Sequence, residues 1–99
     1  MIVIAGTIPI KPERREEAKQ LALQMAAATH AEAGCLTYQF YADLVDPNTF
    51  FIFEEWESEE ALQRHFQTEH MKTFQQQAPK LLAGKVNAKK YTIESAASL

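Results

Sequence analysis

Residues 49–56, TFFIFEEW, place bulky apolar side chains on both faces of any strand they form. Side chains alternate across a strand, so Phe51 and Phe53 share one face while Phe50, Ile52 and Trp56 share the other. Residues 2–10, IVIAGTIPI, are β-branched and apolar in the same two-sided way. A sheet with one wet face alternates apolar and polar residues. These two segments do not alternate, so the sheet they build needs cover on both sides. A chain of 99 residues is the length of one domain, spanning 1–99. Its helices can cover one face. A second copy packed sheet against sheet would cover the other, so a homodimer is expected.

The remaining segments fit between these strands. Residues 11–34 read as a helix. Pro12 suits its first turn, Glu13, Glu16 and Glu17 lie at the positive end of its dipole, and Gly34 closes the segment. Ala18, Leu21, Ala22, Met25 and Thr29 recur at helical spacing and form an inward stripe. CLTYQFYA, residues 35–42, alternates, with Leu36, Tyr38 and Phe40 on one face and Cys35, Thr37, Gln39 and Tyr41 on the other. Asp46-Pro47-Asn48 is a turn signal, so residues 35–42 and 49–57 form a hairpin. Ser58 and Thr68 are N-cap residues for two short helices, the second carrying Met71, Phe74, Ala78 and Leu81 inward and bending or ending at Pro79. Residues 85–94 read as a last strand and 95–99 as a frayed tail. The order β-α-β-β-α-(α)-β is that of an α+β, ferredoxin-like fold: a four-stranded antiparallel sheet with helices on one face.

Composition removes several function classes. The net charge of −3 offers no basic surface for nucleic acid. No apolar run reaches the roughly 20 residues that span a bilayer, and positive charge follows the first apolar run rather than preceding it as in a secretory leader. The one cysteine, Cys35, forms no internal disulfide, which fits a reducing cytoplasm, and builds no thiolate zinc site. Three glycines, widely spaced, make neither a dinucleotide-binding nor a phosphate-binding loop.

The chemistry gathers in residues 54–71, EEWESEEALQRHFQTEHM. His65 follows Leu62 by three and Ala61 by four, which puts it on the inward face of its helix with Phe66 at its side. Imidazole exchanges a proton near neutrality, so His65 is the candidate general base; the alternative is a core histidine bonded to backbone. Glu54 shares the strand face of Ile52 and Trp56, where it would orient His65 or accept a substrate hydroxyl, or else stand as a rim carboxylate. Glu55 points to the opposite face. Trp56 offers a flat wall and one N–H donor, and Tyr38 a ring with a hydroxyl. Ile52, Phe66 and His70 complete the candidate substrate-binding set. His65 and His70 are five residues apart, off the i,i+4 spacing of helical zinc pairs, and only a break between the helices would join them; no metal site is expected.

AEAGCLTYQF followed by FIFEEWESEEALQRHFQTEHMKTF resembles the antibiotic biosynthesis monooxygenase family of small dimeric α+β barrels, over residues 2 to about 93. Within that family the motif is most similar to bacterial quinol monooxygenases, and autoinducer-processing isomerases carry a similar pattern. Ile52 stands where the quinone-forming members have an asparagine, so their hydrogen-bonding scheme does not carry over. Gly6 and Gln75 stand where the heme-degrading branch has an asparagine and a histidine, which argues against heme degradation. The resemblance implies a cofactor-independent monooxygenase using O₂ on a hydroquinone or other electron-rich phenol, in a small aromatic pocket walled by Trp56 and Tyr38. The alternatives are an isomerase or tautomerase of a small carbonyl compound using His65 and Glu54, and a small-molecule-binding dimer without turnover.

Overall fold

The computed structural model describes residues 1–99. Strands β1 (Ile2–Pro9), β2 (Cys35–Ala42), β3 (Thr49–Trp56) and β4 (Asn87–Thr92) form one sheet in the order β2-β3-β1-β4. Every neighbouring pair is antiparallel. Helices α1 (Arg15–His30), α2 (Glu59–Phe66) and α3 (Glu69–Gln77) connect them, with 3₁₀ turns at Pro12–Arg14 and Ala78–Leu81. This is the ferredoxin-like α+β arrangement that the order of elements dictates.

The helices cover the sheet face that carries Ile2, Ile8, Tyr38, Phe50, Ile52, Glu54 and Trp56, all buried. Against it α1 sets Ala18, Leu21, Ala22, Met25 and Thr29, the stripe read from its 3.6-residue period. The caps are where the sequence places them. Ala61 N–H donates to Ser58 Oγ at 3.2 Å, and Met71 N–H donates to Thr68 Oγ1 at 3.3 Å. Pro79 ends the helical run in a 3₁₀ turn. Met71, Phe74 and Ala78 are only partly covered, and of that stripe Leu81 alone is buried. The reason is that α3 lies at the rim of the layer.

Two details differ from the sequence reading. Helix α1 ends at His30, and Gly34 sits beyond it at φ +86°, opening β2 rather than closing the helix. A Cβ there would also lie 2.5 Å from Ala61 Cβ, so glycine serves both backbone and packing. Strand β2 carries a bulge: Cys35 pairs with Trp56 and Thr37 with Glu55, leaving Leu36 as the extra residue. Leu36 is therefore 56% exposed, and Cys35 packs on the core instead. Simple alternation puts Leu36 with Tyr38 and Phe40, and the bulge overrides it.

On the opposite face of the sheet no helix lies over Phe51 and Phe53, which are only partly buried by their neighbours. Tyr41 and Tyr91 are 52% and 45% exposed. Glu55 on this face accepts a hydrogen bond from Thr37 Oγ1 at 2.5 Å. No helix is long and apolar enough to cross a membrane.

Candidate active site

His65 is the centre of a cluster under the helices. It faces inward from the last turn of α2 and is 1% exposed. The Trp56 ring lies 4.8 Å from it between centroids and the Tyr38 ring 5.5 Å. Its Nδ1 is 2.8 Å from Glu32 Oε2, and His70 Nε2 is 2.6 Å from the same oxygen. A carboxylate oxygen only accepts, so both imidazoles present an N–H to it. That fixes the His65 tautomer: the proton sits on Nδ1, and Nε2 keeps its lone pair. No hydrogen bond within the chain uses that Nε2. Nor is it sealed away, since the only fully buried side-chain polar atom without a partner is Thr29 Oγ1.

Local folding explains each position. The tight turn after α1 holds Glu32 beside the start of β2, and β2 begins opposite Trp56. His30 Nε2–H donates to the Tyr38 carbonyl at 2.6 Å, tying the end of α1 to β2. The break at Gln67–Thr68 turns the chain between α2 and α3, so His65 and His70 meet with ring centroids 6.0 Å apart. Spacing along a continuous helix would have kept them apart, and the break removes that objection.

Glu54 does not orient His65. Its Oε1 accepts from Trp56 Nε1–H at 2.8 Å, and the orienting carboxylate is Glu32. Glu54 is buried, and burial pushes its carboxyl up to about 7; the Trp56 N–H opposes this, and the charge on Glu32 adds to it. Burial also drives the Tyr38 hydroxyl far up, helped by Glu54 and Glu32. The Cys35 thiol is raised by burial, then by Glu32 and Glu54. Burial and the charges of Glu54 and Glu32 thus act together on the groups at the sheet end of the site.

The other candidates divide. Ile52 is buried on the same face, between Phe40 and Gly6 in the neighbouring strands. His70 joins the cluster, with its side chain 26% exposed. Phe66 does not line it in the expected way: it is 39% exposed and shows only its flank to His65, at 5.8 Å between centroids. A clear cavity of about 100 Å³ lies beside the cluster, with Ile8, Leu21, Phe50, Phe74 and Leu81 among its walls. Its lining is wholly apolar and includes none of the expected site residues. The expected aromatic pocket therefore separates into a closed polar cluster and an apolar cavity. Phe40 lies between them, lining the cavity and meeting Tyr38 edge-on at 5.6 Å. Sequence reasoning misses Glu32 altogether, because it sits in a four-residue turn with no periodicity to read.

A ferredoxin-like sheet with a buried, carboxylate-held histidine under its helices defines a class of small α+β proteins. The chain belongs to the antibiotic biosynthesis monooxygenase family, whose model matches residues 1–77. It is 38% identical over 98 residues to the "Uncharacterized protein sll1783" of Synechocystis sp., spanning 99% of this chain and 67% of that one. It is 34% identical over 83 residues to the "Putative monooxygenase YcnE" of Bacillus subtilis, spanning 84% of this chain and 87% of that one. A crystal structure of a "putative antibiotic biosynthesis monooxygenase" from Deinococcus radiodurans superimposes with a TM-score of 0.92 at 26% identity, covering 100% of this chain and 98% of that one.

Proposed function

We propose that the protein is a monooxygenase that oxidises a hydroquinone or other electron-rich phenol with O₂, with His65 as general base. The observation that carries this reading is the Glu32 carboxylate on His65 Nδ1–H, which leaves Nε2 as the proton acceptor of a ring packed against Trp56 and Tyr38. A base held this way is the arrangement that activates hydroxyl groups in many enzymes.

The chemistry closes without a further redox partner. Nε2 takes the phenolic proton, and the phenolate gives one electron to O₂. The phenoxyl radical and superoxide combine at a ring carbon to a peroxide. The imidazolium returns its proton to the peroxide, and loss of water leaves one oxygen atom as a ring carbonyl and the other in the water. Burial around His65 raises the energy of an anion formed there, which favours its oxidation. The apolar cavity next to Phe40 suits the hydrocarbon part of such a substrate.

Glu54 favours a second reading. A buried carboxyl that titrates near neutrality, bonded to the Trp56 that packs on His65, suits an isomerase moving a proton along a carbonyl compound. Oxygen separates the two. Incubation with a panel of hydroquinones under ¹⁸O₂ should consume oxygen and give a quinone carrying one ¹⁸O atom, by mass spectrometry. Carbonyl isomerisation that proceeds equally well without oxygen would replace the first reading with the second. No turnover of either kind would leave a binding protein.

We further propose that a second copy covers the open sheet face, forming a dimer. The partly buried Phe51 and Phe53 with exposed Tyr41 and Tyr91 motivate this. Light scattering should give twice the chain mass at micromolar concentration. Phe53→Lys should shift the protein toward monomer, since an unpaired buried charge is costly. A stable native monomer would refute the dimer.

A further inference from the structure

We infer that Glu32, His65 and His70 form a binding site for one divalent transition-metal ion of the zinc type. Their ligand atoms, His65 Nδ1, a Glu32 oxygen and His70 Nε2, all lie within 4.8 Å of one another. Two imidazoles and one carboxylate are a donor set for zinc, nickel, copper or iron rather than for magnesium or calcium, which prefer oxygen ligands.

The geometry needs little change. Donors bound tetrahedrally at the bond lengths usual for zinc stand roughly 3.3 Å apart. The two N···O distances are 2.8 and 2.6 Å, so the carboxylate must retreat by roughly half an ångström. Glu32 belongs to a turn, and its side chain is 13% exposed, so it can retreat. The partly exposed His70 edge leaves room for water as the fourth ligand. The surroundings favour a cation: Glu54 and Glu32 are close enough for the charge on one to raise the carboxyl of the other, and no lysine or arginine pairs with either. The proton balance also closes. Each neutral ring moves its single proton to its other nitrogen as the metal takes the lone pair, and none need leave.

One consequence rests on the function proposed above. Metal at Nδ1 leaves the His65 proton on Nε2, the atom assigned as base. Zinc would then silence catalysis rather than support it.

Equilibrium dialysis of the chelator-treated protein against Zn²⁺ tests the site without substrate, so its outcome is independent of oxygen uptake. One zinc per chain is expected at micromolar metal, with no comparable uptake of Mg²⁺. Loss of a ligand should weaken zinc by at least ~100-fold, the upper end of what loss of an outer-shell partner costs. His70→Ala is the primary variant because its side chain, 26% exposed, is the least buried of the three ligands. Glu32→Gln is the second. Cobalt in place of zinc should give visible absorption bands that both variants lose. Absence of stoichiometric zinc in the native protein, or equal binding in both variants, overturns the site. Zinc binding without loss of turnover would keep the site and overturn the assignment of Nε2 as base.

Discussion

His65→Gln is expected to lower turnover by ~10²–10⁴-fold, the usual contribution of a positioned general base. Glutamine fills a similar space and can still donate an N–H toward Glu32, but it cannot take a proton at neutral pH. The native rate should rise with pH along a limb that the variant lacks, because only the unprotonated base works. Glu54 titrates near neutrality, at about 7, so Glu54→Gln is the control: the limb should survive there if His65 is the base. Supplying the phenol already ionised, at higher pH, should partly rescue His65→Gln. A different result would show a packing role. If the variant loses thermal stability but turns over normally per folded molecule, His65 is a core histidine, and the base must be sought at Glu54.

Part of this site is legible in the chain and the rest is not, for physical reasons. The α1 stripe and the two caps depend on contacts within a few residues, so periodicity and cap chemistry reveal them. The same local rule places His65 inward. It does not find the partner, because the His65–Glu32 and His70–Glu32 contacts join residues 33 and 38 positions apart. Only the turn that ends α1 and the break before Thr68 bring them together. Proximity in sequence assigns Glu54 to His65, but its own Trp56, two residues on along one strand face, takes it first. Leu36 is misplaced by alternation because a bulge shifts the pattern by one residue and leaves no mark in composition. The cavity beside Phe40 is invisible for another reason: it is the space left between packed side chains, which no single segment determines.

Glu54→Gln is expected to make the protein more stable above neutral pH and not below about pH 4. The Glu54 carboxyl holds its proton up to about pH 7 in the folded chain, against an ordinary value of 4.5. Between those values the unfolded chain has released a proton that the folded chain keeps. Native stability therefore falls as pH rises through that window and levels off above it. The full difference is on the order of 3 kcal/mol, since each tenfold change in proton affinity is worth about 1.4 kcal/mol. Glutamine removes the ionisation while its carbonyl still accepts the Trp56 N–H. For a domain of this size the gain should raise Tm above pH 8 by on the order of 10 °C. Exposed carboxylates such as Asp43 and Glu59, whose carboxyls are held low, weaken both proteins alike in acid and cancel in the comparison. Melting curves of the two proteins from pH 4 to 8.5 provide the measurement. A Tm difference that stays constant across that range would show that the Glu54 carboxyl titrates in the folded chain as it does in the unfolded one. A difference that opens between pH 5 and 7 would show that the buried Glu54 carboxyl keeps its proton to near neutrality in the folded chain.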